Sequence, residues 1–112
     1  MIATPSHANN NNPVVELTVS LEGRHIRVIK REAWMLYLLM ERGERGVTTL
    51  EVPGARLSQY VMKLRRNQIV IETVTEKHSG PFAGSHGRYV LRSPLTIVKV
   101  VRAMDKGAAH AA

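Results

Sequence analysis

Between Arg31 and Arg92 the hydrophobic period of the chain changes in an order that leaves few folds open. Residues 31–42 (REAWMLYLLMER) contain no Gly or Pro and are rich in strong helix formers. Their apolar side chains cover more than one stripe, which predicts a helix at the centre of the core, ended by Gly43 and Gly46. In the next stretch, Val47-Thr48-Thr49-Leu50-Glu51-Val52, Thr48 or Thr49 caps a short helix. Glu51 stands three residues beyond Thr48, the spacing of a capping box. Pro53-Gly54 breaks that helix at once. A further helix is predicted over 55–67, with Leu57, Tyr60, Val61 and Leu64 at helical spacing. Ile69–Val74 is dense in β-branched residues and reads as a strand. A Gly-, Ser- and His-rich loop (EKHSGPFAGSHG, 76–87) separates it from a second strand over Arg88–Leu91.

Upstream, Leu17-Thr18-Val19-Ser20-Leu21 alternates apolar and polar residues, Glu22-Gly23 supplies a turn, and His25–Ile29 is again strand-like; together they predict a hairpin. Residues 1–13 (MIATPSHANNNNP) hold almost nothing to bury and read as a disordered leader, and 107–112 as a tail. Downstream, Ser93-Pro94 has the form of an N-cap followed by Pro at the first helical position, which predicts a helix over 94–106. Ile97, Val98, Val100 and Val101 would also suit a strand. A helix here has more apolar surface than one small domain needs. It either completes the core or forms a homodimer through Leu95, Val98, Val101 and Met104.

The short second helix opened by Val47-Thr48-Thr49-Leu50, and the stretch Arg56-Leu57-Ser58-Gln59-Tyr60-Val61-Met62-Lys63-Leu64-Arg65-Arg66, resemble small winged helix-turn-helix domains of bacteria and their phages. In those domains a pattern like R-L-x-x-x-I-x-x-L-R precedes the first strand of the wing. The N-terminal hairpin looks like that of response-regulator output domains of the winged-helix type. The resemblance implies an α+β winged helix-turn-helix over 14–93: an N-terminal β-hairpin, a three-helix core and a C-terminal β-hairpin wing, followed by the helical extension. It further implies sequence-specific binding of double-stranded DNA by a small transcriptional regulator, with helix 55–67 in the major groove and the 76–88 loop as the wing. Pro53-Gly54 departs from the usual single Gly turn and shortens the second helix.

The charge agrees with that expectation. Sixteen Lys and Arg against nine Asp and Glu give a formal net charge of +7, and such a surplus attracts polyanions. No acidic residue interrupts Ala55 to Ile71. At helical spacing the face opposite Leu57, Tyr60, Val61 and Leu64 carries Ala55, Gln59, Met62 and Arg66. Arg56 and Lys63 flank it on one side, Ser58 and Arg65 on the other. Arg chelates guanine and Gln pairs with adenine, so Arg56 and Gln59, at the end of a recognition helix that enters deepest, are the expected base contacts. Ser58, Lys63, Arg65 and Arg66 are the expected phosphate contacts. In the wing, Lys77, His78, Ser85, His86 and Arg88 suit the narrow minor groove. Phe82 at its tip either packs back on the domain or wedges against a partner.

Catalysis finds no support. The absence of cysteine removes thiolate chemistry, disulfides and Cys-based zinc sites. The five histidines show no HxxxH or HExxH spacing, so no metal or cofactor is expected. No carboxylate pair, activated nucleophile or phosphate-cradling Gly-Lys-Ser/Thr motif occurs. Trp34 and Tyr37 are expected to pack in the core or an interface. No apolar run approaches the ~18 residues of a membrane span, and no signal peptide opens the chain, so residence in the cytoplasm, on the nucleoid, is expected. Two other functions fit the same residues: an architectural, excisionase-like DNA-bending protein, and a winged-helix docking module for an acidic protein.

Overall fold

The computed structural model describes residues 12–51, 56–78 and 84–105. Two strands, β1 (Val14–Leu21) and β2 (Arg24–Ile29), form the expected hairpin, paired from Leu21↔Arg24 to Glu16↔Ile29. Glu22 and Gly23 both take positive φ, 51° and 83°. This is the two-residue turn whose twist matches that of the strands it joins. Strand alternation puts Leu17, Val19, Leu21, Ile26 and Val28 into the core.

Helix α1 (Lys30–Arg42) lies on that inner face. It buries Ala33, Met35, Leu36, Leu38 and Leu39, more than one stripe, as befits the central helix of the core. It ends at Gly43, a 3-10 turn covers Gly43–Arg45, and β3 (Val47–Thr48) follows. The hydrogen bonds of the expected capping box form, but they close a turn over 49–51 and open no helix among the described residues, because Val47 and Thr48 pair with Tyr89 and Arg88 as a strand. The Thr48 N–H donates to Glu51 Oε1 (3.2 Å), and the Glu51 N–H donates to Thr48 Oγ1 (3.3 Å). Val52, Pro53, Gly54 and Ala55 lie outside the described residues.

Helix α2 (Leu57–Arg66) seats Leu57, Val61 and Leu64 in the core, and Tyr60 meets Trp34 of α1 edge to face at 6.4 Å. It starts two residues later than 55–67 implied; Arg56 is its N-cap residue. The wing hairpin consists of β4 (Ile71–His78) and β5 (Gly84–Leu91), and β3 joins β5 to complete a sheet of order β3-β5-β4. The expected loop over 76–88 is thus mostly strand. Glu76↔His86 and Lys77↔Ser85 pair, since the ladder continues wherever backbone partners remain in register. Residues 79–83, including Phe82, lie outside the described residues.

The segment predicted as a C-terminal helix is a strand, β6 (Thr96–Arg102), antiparallel to β1 in a second sheet of order β2-β1-β6. Two physical reasons decide it. The hairpin leaves one edge of β1 without partners, and a β-branched run satisfies that edge while setting Val100 against the core. The apparent N-cap serves another purpose: buried Ser93 accepts the Val70 N–H on Oγ at 2.8 Å. Leu95, Val98, Val101 and Met104 therefore do not form one helical stripe. Val98 and Met104 are exposed, while Leu95 and Val101 are half-buried. The N-terminal hairpin, the helical core and the C-terminal wing are those of a winged helix-turn-helix.

Candidate nucleic-acid interface

The outer face of α2 is built by subtraction. Once Leu57, Val61 and Leu64 turn inward, 3.6-residue periodicity leaves Ser58, Gln59, Met62, Lys63, Arg65 and Arg66 outside, with Arg56 at the entry. All seven are exposed, and Met62 retains 52 % of its surface. Among the described residues, the side chains of Arg56, Ser58 and Gln59 have no hydrogen-bond or ion-pair partner, and Arg66 meets only the Met62 sulfur, at 3.8 Å. These groups are available to a ligand.

Two cations of this helix are otherwise engaged. Lys63 Nζ lies 3.8 Å from Glu32 on α1, a loose surface pair that a phosphate can displace. Arg65 is held more firmly: Nε and Nη2 donate to the Ile71 carbonyl at 3.1 and 2.6 Å, and Nη2 donates to Thr73 Oγ1 at 2.9 Å. β4 is the edge of its sheet, so this carbonyl belongs to a strand side that, among the described residues, no neighbouring strand covers. Arg65 thereby braces the last turn of α2 against the first strand of the wing. Arg24 makes a comparable brace from β2, donating to the Asn67 carbonyl (3.4 Å) and to Gln68 Oε1 (3.1 Å) just beyond the helix. Sequence reading missed Arg24 because nothing along the chain links residue 24 to residue 67.

In the wing, alternation along β4 places Thr73, Thr75 and Lys77 on one face and Glu76 on the other. Lys77 and Ser85 pair directly, are exposed, and continue the face on which Thr73 receives Arg65. His86 and Arg88 turn toward Glu76: His86 Nε2 stands 3.1 Å from Oε1, and Arg88 Nε donates to Oε2 at 2.7 Å and its guanidinium also to the Arg45 carbonyl. The Arg88 hydrogen bond, helped by the contact with His86, outweighs desolvation and holds the Glu76 carboxyl below its usual range. The side chain of His78 lies outside the described residues. Of the expected wing contacts, the structure presents Lys77 and Ser85 outward, while Arg88 and His86 are drawn to a carboxylate. The pairing Glu76↔His86 beside Val74↔Arg88 was legible in principle, because both side chains fall on the face of Glu76 once the hairpin register is known.

A second ion network locks the turn behind α2. Arg42 Nη1 donates to Glu51 Oε2 (3.0 Å) and to the Gly46 carbonyl (3.3 Å). Burial pushes the Glu51 carboxyl up, but the Thr48 N–H and the Arg42 guanidinium outweigh it and leave its pKa lowered. Gly46 itself has φ of 62°, and a Cβ there would stand 2.3 Å from the Tyr89 carbonyl oxygen. Only glycine lets β3 lie this close to β5.

A hairpin, a central helix, a capped turn, a helix with one free cationic face and a two-stranded wing define a helix-turn-helix protein of the winged type. The profile of the winged helix domain family matches residues 25–101, and the chain belongs to that family. No curated protein and no solved structure matches the chain at a significant level. The winged helix is a DNA-binding fold used in transcription regulation. Among the described residues there is no group of three or more His, Cys, Asp or Glu able to hold a metal ion. No helix among them is long and apolar enough to cross a membrane.

Proposed function

We propose that the chain is a sequence-specific double-stranded DNA-binding protein, a small transcriptional regulator acting on the nucleoid in the cytoplasm. It lays α2 in the major groove and the β4–β5 hairpin along the adjacent backbone or minor groove. The observation that carries this is the free face of α2. Arg56, Gln59 and Arg66 are exposed, no acidic side chain lies between Ala55 and Ile71, and the helix is seated on the core by its other face. Arg56 and Gln59 stand at the N-terminal end and have the chemistry to read base edges. Ser58, Lys63 and Arg66 suit phosphates, and Lys77 and Ser85 extend the contact to the wing. Arg65, His86 and Arg88 act as supports of this surface.

Selection from random duplexes followed by titration tests the proposal. A regulator binds its selected site at least ~10³-fold more tightly than a scrambled duplex at the same salt concentration. A ratio near unity instead assigns an architectural role, and absence of duplex binding at low salt leaves protein docking.

A further inference from the structure

Met62 stands in the middle of the outward face of α2, between Gln59 and Arg66. It is 52 % exposed, and among the described residues it belongs neither to the core nor to the side chains packed on it. Its surroundings are polar: Ser58, Gln59, Lys63, Arg65 and Arg66 complete the face. A thioether chain left in water forgoes the stabilisation that burying a methionine brings, so folding does not explain this position. Nor is it a protein-docking patch, which needs several contiguous apolar side chains. One apolar group ringed by cations and an amide is matched by a surface with the same pattern. The floor of a DNA major groove has that pattern. Each thymine there offers a C5 methyl beside hydrogen-bonding base edges, with phosphates along both walls.

We infer that Met62 is a specificity-determining residue that contacts the C5 methyl of a thymine in the bound site; this rests on the proposal that α2 lies in the major groove. Helical rise gives the position of that thymine. Met62 lies three residues beyond Gln59, a rise of about 4.5 Å along the helix axis. Successive base pairs are about 3.4 Å apart, so Met62 reaches a base pair one or two steps from the one that Gln59 meets. Its unbranched, flexible side chain can follow a methyl on either strand. The thioether has a second neighbour, because Arg66 Nη2 donates to the Met62 sulfur at 3.8 Å. Loss of Met62 therefore also releases Arg66. That effect is the same for every base sequence, whereas the methyl contact belongs to one base.

Deoxyuridine differs from thymidine only in lacking that methyl, and so isolates the contact. In the duplex recovered by selection, each thymine is replaced in turn by deoxyuridine and titrated with the full-length wild type, M62A and M62L at one salt concentration. At one thymine, within two base pairs of the position whose preference Q59A loses, the wild type should bind about fourfold more weakly, the effect of one buried methyl group. M62A should bind the thymine and deoxyuridine duplexes alike, and M62L, which keeps an apolar branch, should retain the preference. Met, Ala and Leu are all strong helix formers, so α2 is kept in each. If M62A weakens binding but keeps the wild-type ratio between the two duplexes, Met62 serves only to hold Arg66 and the inference is overturned. The triple variant R56A/Q59A/R66A distinguishes this failure from that of the underlying proposal. Wild-type affinity in the triple variant removes α2 from the groove, and the inference with it. A triple variant that loses affinity, while no deoxyuridine replacement weakens the wild type, overturns the role of Met62 alone.

Discussion

Arg65 separates two accounts of the helix surface, because its position in the sequence and its position in space argue differently. By helical spacing it is a phosphate contact; by its hydrogen bonds to the Ile71 carbonyl and Thr73 Oγ1 it is a brace between reader and wing. Replacing it with alanine removes all of these bonds. Each is worth about 0.5–1.5 kcal/mol net, and a solvent-facing guanidinium keeps to the low end, so R65A should cost about 1–2 kcal/mol of folding stability. In a domain of this size that is a fall of roughly 5–10 °C in Tm. T73V removes one bond and should cost about 0.5–1 kcal/mol, with most of that cost absent in the R65A background. DNA titrations over a range of salt give the second readout. A brace contributes no phosphate contact, so the slope of log K against log salt should be unchanged in R65A while affinity falls. An unchanged melting midpoint, together with a slope reduced by about 0.9, would refute the reasoning and return Arg65 to the phosphates.

Three further outcomes follow from the site. Glu51 has a folded-state pKa below its ordinary value of 4.5, so its contribution is full above that value and is lost as pH falls through the lowered one. Urea midpoints of E51Q should lie below wild type at pH 7, with the two converging in acid once the wild-type carboxyl is protonated; parallel curves would contradict this. Gly46→Ala must place a methyl 2.3 Å from a backbone oxygen at positive φ, and should cost about 3 kcal/mol or more. Gly23→Ala has positive φ but open space, and should cost only about 1–2 kcal/mol in the same chemical denaturation.

Local signals carried much of the architecture. Alternation in Leu17–Leu21, the Glu22-Gly23 turn, the Gly- and Pro-free run before Gly43, and the Thr48–Glu51 spacing each act within a few residues, and each appears where the pattern placed it, though the Thr48–Glu51 bonds close a turn and open no helix among the described residues. The C-terminal segment was illegible for a different reason. Ser93-Pro94 has the local form of a helix start, but the outcome depends on an open edge of β1 some eighty residues earlier and on Val70 needing an acceptor. For the candidate interface, periodicity alone separated Leu57, Val61 and Leu64 from Gln59, Met62 and Arg66. It could not divide the cations into free and engaged, because the partners of Arg65, Arg88 and Arg24 lie across turns or on other elements.

The central claim is that the outward side of α2 meets a duplex, and the triple variant R56A/Q59A/R66A addresses it most directly. These side chains make no core contact, so the thermal midpoint should hold, while the affinity for the selected duplex should fall by at least ~10²-fold. With Arg56 at a base edge, the salt slope should drop by about 0.9 for the lost phosphate contact of Arg66. Wild-type affinity and slope in the triple variant would show that DNA, if bound, is read by some other surface.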